Sequence, residues 1–349
     1  MISFESDYNN GAHPAVLRRL IETNAEQSAS YGFDVWSEQA REKIRQACAA
    51  PEADIHFLVG GTQTNATVID ALCPSYGAVV AAESAHINQH ESGAVEARGH
   101  KVIALPSHDG RLDAEELNRY LSRFFADPTW EHMAVPTMVY ITFPTELGTT
   151  YTRQQIEDIY RVAQQYKLPL FVDGARLGYG LASEACDFDL PWLAAHCDVF
   201  YIGGTKQGAL CGEAVVFPKG NAPRGFFTMV KRQGALLAKS RLAGVQFDAL
   251  FTDNLYLNIA RHAIRQAQKL REIFLAAGYS LKDSPTNQQF VVLTNQQMKQ
   301  IAERIAFETW EPIDEDHTLC RFVTSWATTD ADLAALADLA ALAALRSAL

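Results

Sequence analysis

Short apolar runs alternate with helix-like segments through the first two thirds of the chain, and this alternation restricts the fold more than any other sequence feature. It predicts an α/β domain in which helices cover a mostly parallel sheet. Ligands of such sheets bind at the carboxyl ends of the strands. The predicted strands are residues 55–59, 78–82, 101–105, 138–143, 170–172, 199–202 and 214–217, and the helices between them are 66–72, 90–97, 113–125 and 153–166.

The pattern changes after residue 247, where isolated strands and longer helices replace the alternation. A chain of 349 residues exceeds the usual size of one hydrophobic core, so a second domain is expected. We predict a large domain over residues 1–247, whose N-terminal segment 1–20 reaches the active site, and a smaller α+β domain over residues 248–349. The elements predicted for the smaller domain are helices 255–277, 297–307 and 331–345 and strands 290–293 and 320–325.

Charge and composition argue against several classes of protein. The formal net charge of −11 argues against a nucleic-acid binder, which favours a basic surface. No apolar run approaches the ~20 residues of a membrane span, and the first residues lack the pattern of a signal peptide. The cysteines are scattered without a Cys-x-x-Cys pair, which favours reduced thiols and argues against a zinc site. We therefore expect a cytoplasmic protein without a metal, whose partner is a small molecule.

Charged side chains follow two of the most apolar predicted strands. Asp173 comes directly after one strand, with Arg176 close behind it, and Lys206 follows the next strand in a glycine-flanked turn. A carboxylate in that position needs a partner, and a lysine in an apolar pocket can lose its proton and act as a nucleophile. A pyridoxal phosphate (PLP) enzyme needs both, because the lysine binds the cofactor covalently and the carboxylate keeps its ring nitrogen protonated. The alternatives are an ordinary Asp173–Arg176 ion pair and a solvated lysine.

Two further strand ends suit the same cofactor. Gly61 and Thr62 lie in the turn before a predicted helix, where backbone amides and the helix dipole can hold a phosphate. His86 follows the next strand and can lay its ring on a flat cofactor. The alternatives are a Gly-Gly-Thr turn without a ligand and a capped surface histidine. The chain has no Walker pattern, and no Gly-x-Gly-x-x-Gly follows the first strand, so ATP and NAD lose support.

The order of Gly61-Thr62, His86, Asp173-Gly174-Ala175-Arg176 and Lys206 resembles that of the PLP-dependent low-specificity L-threonine aldolase and β-eliminating lyase family. The resemblance covers essentially the whole chain, and residues 172–178 are its most specific part. It implies the aspartate aminotransferase-like fold (fold type I), with a seven-stranded type of sheet in the large domain. It also implies a homodimer or homotetramer whose subunits share active sites.

The resemblance implies a role for each matching residue. Lys206, Asp173 and His86 would be the catalytic residues, with Lys206 as the covalent attachment point. The implied cofactor contacts are the ring nitrogen for Asp173, the phenolic oxygen for Arg176, the ring face for His86, the phosphate for Gly61 and Thr62, and a neighbouring subunit's phosphate for Arg232 and Lys239. Ser6 and Arg321 match positions that bind the substrate carboxylate, a role that suits the guanidinium fork of Arg321. The alternative for Arg321 is a surface arginine on an edge strand.

One segment departs from the family pattern. The family commonly has a Thr-His pair after the strand at residues 138–143, and that histidine lies near the substrate hydroxyl. Residues 143–149 are Phe-Pro-Thr-Glu-Leu-Gly-Thr and contain no histidine. The group that removes the hydroxyl proton is therefore open among His86, Glu91 and a water molecule.

The predicted reaction is cleavage of the Cα–Cβ bond of a β-hydroxy amino acid such as L-threonine or L-allo-threonine, which gives glycine and an aldehyde. The alternatives on the same scaffold are transamination and β-elimination from cysteine or an aromatic amino acid. A non-catalytic protein that keeps the fold for partner binding is a further alternative, and intact Lys206 and Asp173 argue against it.

Overall fold

The structure is a computed structural model that describes residues 1–347. The strands of these residues are β1 Ile2–Ser3, β2 Asp54–Leu58, β3 Gly77–Ala82, β4 Lys101–Leu105, β5 Val135–Thr142, β6 Leu170–Asp173, β7 Val199–Gly203, β8 Glu213–Phe217, β9 Leu281–Lys282, β10 Gln288–Thr294, β11 Ile305–Ala306, β12 Glu308–Pro312 and β13 His317–Val323. The α-helices are α1 Pro14–Thr23, α2 Val35–Ala47, α3 Gly61–Leu72, α4 His86–Gln89, α5 Ala114–Ala126, α6 Arg153–Gln165, α7 Leu177–Leu181, α8 Leu190–Ala195, α9 Phe226–Arg232, α10 Arg241–Leu250, α11 Leu255–Ala276, α12 Asn295–Ala302 and α13 Asp330–Ser347.

A seven-stranded sheet forms the centre of the molecule, with the strand order β2-β8-β7-β6-β5-β3-β4. Every neighbouring pair is parallel except the two that involve β8, which runs antiparallel to both β2 and β7. The predicted α/β class and the mostly parallel sheet are therefore confirmed. The sequence did not predict the direction of β8, because an apolar run does not encode the direction of its strand.

Strands β6 and β7, in the middle of the sheet, are buried on both faces, which explains their apolar sequences. Leu170 and Val172 of β6 pack into the core on one face of the sheet, and Phe171 packs into the core on the other. Full burial of each such side chain contributes about 1.5–3 kcal/mol. The chain after β6 then passes so close to β7 that a Cβ on Gly174 would lie 1.9 Å from the carbonyl oxygen of Tyr201. This close approach brings the ends of β6 and β7 together.

The C-terminal region forms a second, antiparallel sheet with the strand order β12-β13-β10-β9. The two-residue strand β1 pairs in parallel with β11, with Ile2 opposite Ile305. Phe4 is buried in the same core as Phe322 and Leu336. The predicted α+β character of this region is confirmed, and the first residues of the chain pack with it. The exact division at residue 247 stays a prediction.

Several predicted elements differ in the structure, including two helices and one strand. The helix predicted for residues 90–97 is wrong, because Ser92 and Gly93 have positive φ values of 52° and 71° that interrupt a helix. The short helix α4 and a single 3-10 turn at Glu96–Arg98 replace it. The helix predicted for residues 297–307 ends at Ala302, and β11 follows. Strand β13 ends at Val323, two residues before the predicted end.

None of the helices in residues 1–347 combines the length and the apolar character that crossing a bilayer requires.

Candidate active site

A cavity of about 480 Å³ lies at the carboxyl ends of the large sheet, where residues of the small sheet close its other side. Seven of the ten predicted site residues line it: Gly61, Thr62, His86, Asp173, Arg176, Lys206 and Arg321. They come from five separate parts of the chain, so the predicted convergence of strand ends on one site is confirmed as geometry. Their individual roles stay predictions.

Asp173 is the last residue of β6 and is only 1% exposed. One carboxylate oxygen accepts hydrogen bonds from Tyr140 Oη at 2.6 Å and Asn65 Nδ2 at 2.8 Å, and the other accepts one from the backbone N–H of Ala175 at 2.9 Å. The alternative of an ion pair with Arg176 is wrong, because Arg176 binds a different carboxylate. Asp173 therefore presents a buried negative charge to the cavity.

Lys206 lies three residues after β7, and hydrogen bonds from two residues of α7 hold the chain at this position. Its carbonyl accepts a hydrogen bond of 2.5 Å from Tyr179 Oη, and the side chain of Gln207 accepts one of 2.8 Å from Gly178 N. Burial lowers the pKa of the Lys206 amine, and Arg176 lowers it further. Within residues 1–347 its Nζ has no hydrogen-bonding partner, and the ring centroid of Tyr8 lies 5.9 Å away. The amine is thus unpaired and easily deprotonated, as a nucleophilic lysine must be.

Arg176 makes a two-pronged ion pair with Asp7 in the N-terminal segment. Its Nε and Nη2 lie 2.7 and 3.0 Å from the two carboxylate oxygens, and Asn287 Nδ2 donates to the same carboxylate at 2.9 Å. Burial alone would raise the pKa of Asp7, but the charges of Arg176 and Lys206 outweigh it and hold that pKa below its usual value. The sequence prediction placed Ser6 at the site and missed its neighbour Asp7.

His86 is oriented by a buried glutamate. Its Nδ1 lies 2.9 Å from Glu91 Oε1, which also accepts a hydrogen bond of 2.7 Å from Asn65 Nδ2. Because the same amide group of Asn65 donates to Asp173, these residues form one connected network. The network fixes the imidazole beside the carboxylate at the end of β6.

The N-terminus of α3 opens into the cavity without a side-chain cap. Gly60 is its N-cap residue, and the helix begins at Gly61 and Thr62. A Cβ on Gly61 would lie 3.2 Å from Tyr201 Oη, so glycine leaves room there for a ligand to approach the backbone. Uncapped amides at a helix N-terminus bind anions.

Arg321 reaches the cavity from β13 of the small sheet. Its Nη1 donates to Gln288 Oε1 at 2.9 Å, its Nη2 bonds Glu308, and its guanidinium lies 4.7 Å from the ring centroid of Trp310. Its buried Nε has no partner among the described residues. One donor therefore remains free for an anionic ligand.

The other three predicted residues do not line the cavity. Ser6 is buried and donates to Asn9 Oδ1 at 2.6 Å. Arg232 and Lys239 are exposed, and Arg232 lies 3.6 Å from Asp70. The prediction that these two basic residues serve a neighbouring subunit stays a prediction.

Three further carboxylates line the cavity and were not predicted as site residues, namely Glu146, Glu213 and Glu308. Glu213 on β8 accepts hydrogen bonds from Thr205 Oγ1 at 2.8 Å and Gly204 N at 3.1 Å, and burial raises its pKa. Glu146 lies in the loop after β5 and is 6% exposed. A glutamate in an apolar strand is the sequence signal for Glu213. Glu146 gives no such local signal, because the shape of its loop decides where it points.

Comparison with known proteins agrees with this geometry. Residues 3–312 match the family model described as β-eliminating lyase. The chain belongs to this family of PLP-dependent lyases. A low specificity L-threonine aldolase from Pseudomonas aeruginosa is 31% identical over 273 residues, which are 77% of each chain.

Comparison with solved structures extends the similarity over nearly all of the chain. The Leishmania major threonine aldolase has a TM-score of 0.95 and 36% identity, over 99% of this chain and 100% of that one. Aspartate aminotransferase from Thermus thermophilus has a TM-score of 0.69 at 16% identity, over 98% of this chain and 91% of that one, and shares the fold. The predicted fold type I is thus confirmed.

The residues of the cavity fit PLP, the cofactor of this family. The unpaired amine of Lys206 suits covalent attachment, the anionic Asp173 suits a protonated ring nitrogen, and the uncapped start of α3 suits a phosphate. These three groups match the aldehyde, the ring nitrogen and the phosphate of the cofactor.

Proposed function

We propose that the lyase cleaves the Cα–Cβ bond of a β-hydroxy amino acid of the threonine type and releases glycine and an aldehyde. The observation that supports this most is the shared cavity of Lys206 and Asp173, in which an unpaired amine and a buried carboxylate face the same space. The threonine aldolases among its relatives support the choice of reaction.

The cofactor would be held by residues of the large sheet. Lys206 would bind it covalently, Asp173 would pair with the ring nitrogen, and Arg176 would donate to the phenolic oxygen. His86 would cover the ring, and Gly61 and Thr62 would hold the phosphate. When bound, PLP accepts the electron pair that carbon–carbon cleavage leaves on Cα.

The substrate would be held from the opposite side. Arg321 is mostly buried, with a free Nε, and a guanidinium in that state binds a carboxylate strongly. Its bond to Glu308 would have to open when the substrate carboxylate arrives. Ser6 would assist Arg321 once its hydroxyl, which donates to Asn9 in the structure, turns towards the substrate.

We also propose that the enzyme works in the cytoplasm as a homodimer or homotetramer with shared active sites. The exposed side chains of Arg232 and Lys239 are available to a neighbouring subunit. Scattered cysteines without a paired motif suit a reducing compartment.

A second candidate reaction is β-elimination, which the description of the family model favours. Product analysis separates the two. Purified enzyme with PLP is incubated with L-threonine, L-allo-threonine and L-cysteine, and the products are identified. Glycine with acetaldehyde supports the aldolase, whereas ammonia with a 2-oxo acid from any of these substrates supports elimination.

A further inference from the structure

Cleavage of a β-hydroxy amino acid needs a group that removes the hydroxyl proton, and Glu146 has the properties of that group. It lines the cavity and is almost fully buried. Its Oε1 accepts hydrogen bonds of 2.8 Å from the backbone N–H of His86 and from Thr142 Oγ1. Its Oε2 is buried and has no partner among the described residues. A buried acceptor without a donor costs about 1–3 kcal/mol, so this oxygen is suited to a donor that the substrate brings.

The loop that carries Glu146 connects the place of the cofactor with the proposed carboxylate site. On one side, Glu146 holds the backbone of His86, the predicted ring-stacking residue. On the other side, the carbonyl of Thr145 accepts a hydrogen bond of 3.4 Å from Gln288, whose side chain also binds Arg321. The loop therefore contacts residues on both sides of the proposed substrate site, and Glu146 lines the cavity between them.

The other acceptors of the cavity are engaged elsewhere. Asp173 already accepts three hydrogen bonds, and Glu213 binds the turn before Lys206. Glu308 is paired with Arg321. Glu91 also has an unpaired oxygen, but it is tied through Asn65 to Asp173, at the end of the cavity where the ring nitrogen would lie.

We propose that Glu146 Oε2 accepts the proton of the substrate's β-hydroxyl as the Cα–Cβ bond breaks. The electron pair of the O–H bond becomes the second bond of the aldehyde carbonyl. The pair of the Cα–Cβ bond stays with Cα, and bound PLP would stabilise it as an electron sink. One proton then adds to Cα to give glycine, and Glu146 loses its proton to solvent, so protons balance. This inference rests on the proposed function.

The electrostatic surroundings of Glu146 support this assignment. Burial raises the pKa of its carboxyl, hydrogen bonds from its own loop and Thr142 lower it, and the charge of Asp173 raises it again. The other titratable groups around it are His86, Tyr140 and Tyr151. A carboxylate with a raised pKa is a stronger base near neutral pH than an ordinary one.

The test compares two reactions of the PLP-loaded enzyme. Glu146→Gln keeps the shape of the side chain, and we expect cleavage of L-threonine to fall by about 10²–10⁴-fold in kcat. Exchange of the α-proton of glycine in D2O, followed by NMR, is expected to continue, because glycine has no hydroxyl. The exposed Glu131→Gln is the matched control. Sodium formate is expected to restore part of the cleavage in Glu146→Ala, since it supplies the missing carboxylate.

The pH profile gives a further readout. The acid limb of kcat/KM of the wild type is expected to lie above the ordinary glutamate pKa and to be absent in Glu146→Gln. Unchanged cleavage in this variant would overturn the proposal and point to His86 or His90. Loss of both cleavage and glycine exchange would overturn it as well, because Glu146 would then only position His86.

Failure of the proposed function is recognised separately. A wild-type enzyme that exchanges the glycine α-proton but cleaves no β-hydroxy amino acid overturns the proposed function and this inference with it. Normal cleavage by the wild type together with normal cleavage by Glu146→Gln overturns the inference alone.

Discussion

The large sheet supplies one wall of the cavity with residues that follow its strands or begin its helices, whereas the opposite wall combines a loop with the small sheet. We call the first the cofactor wall, with Gly61, His86, Asp173 and Lys206, and the second the substrate wall, with Glu146 and Arg321. Residues at the ends of buried strands are positioned by the core, so each residue of the cofactor wall is placed by the strand or helix next to it in the sequence. The substrate wall depends on contacts between distant segments, which allows the reaction to change while the cofactor stays.

The largest expected effect tests the cofactor wall. Lys206→Ala removes the amine that would hold PLP, and we expect threonine cleavage to fall by about 10³–10⁶-fold. The visible absorbance of the lysine-bound cofactor should disappear as well. Lys101→Ala, an exposed lysine outside the cavity, is the control and should keep both. An unchanged spectrum in Lys206→Ala would show that another residue holds the cofactor.

A smaller effect is expected on the substrate wall. Arg321→Lys keeps the charge but loses the planar fork, so we expect KM for L-threonine to rise by about 10–100-fold. The cofactor absorbance should not change, because Arg321 belongs to the other wall. Steady-state kinetics and a PLP titration measure the two, with the exposed Arg304→Lys as control. Weakened PLP binding at unchanged KM would show that the two walls are not independent.

The smallest expected effect is on the stability of the fold. Its pH dependence has opposite signs for Lys206 of the cofactor wall and Glu146 of the substrate wall. In the enzyme without PLP, the lowered pKa of Lys206 means that its charge destabilises the fold below that pKa and ceases to do so as pH rises towards 10.5. The raised pKa of Glu146 has the opposite effect, because stability is lost as pH rises from 4.5 through the raised value. Each pKa unit corresponds to about 1.4 kcal/mol.

Thermal melting of the variants measures this difference. The advantage of Lys206→Met over the wild type should shrink at alkaline pH, whereas that of Glu146→Gln should grow as pH rises from acid to neutral. Parallel curves for wild type and variant would contradict the assigned direction for that residue.

The same contrast explains what the sequence could predict. Apolar runs and the charged residues directly after them gave the α/β class, the strand positions and both Asp173 and Lys206. The antiparallel direction of β8 and the pairing of β1 with β11 depend on tertiary packing, so no local pattern marked them. The break at Ser92 had a local signal, the turn dipeptide Ser92-Gly93, which the prediction did not use. Asp7 and Glu146 were missed because tertiary packing places them, Asp7 against Arg176 and Glu146 in the lining of the cavity.

The N-terminal segment has a consequence for biosynthesis. Ile2 pairs with Ile305, and Asp7 binds both Arg176, at the start of α7, and Asn287, directly before β10. A ribosome adds 5–20 residues each second, so the first strand waits roughly 15–60 s for its partner about 300 residues later. During that time the nascent large sheet can form, but the carboxylate that neutralises Arg176 is not yet anchored. Cofactor capture in its final geometry is therefore expected only after almost the entire chain has left the ribosome.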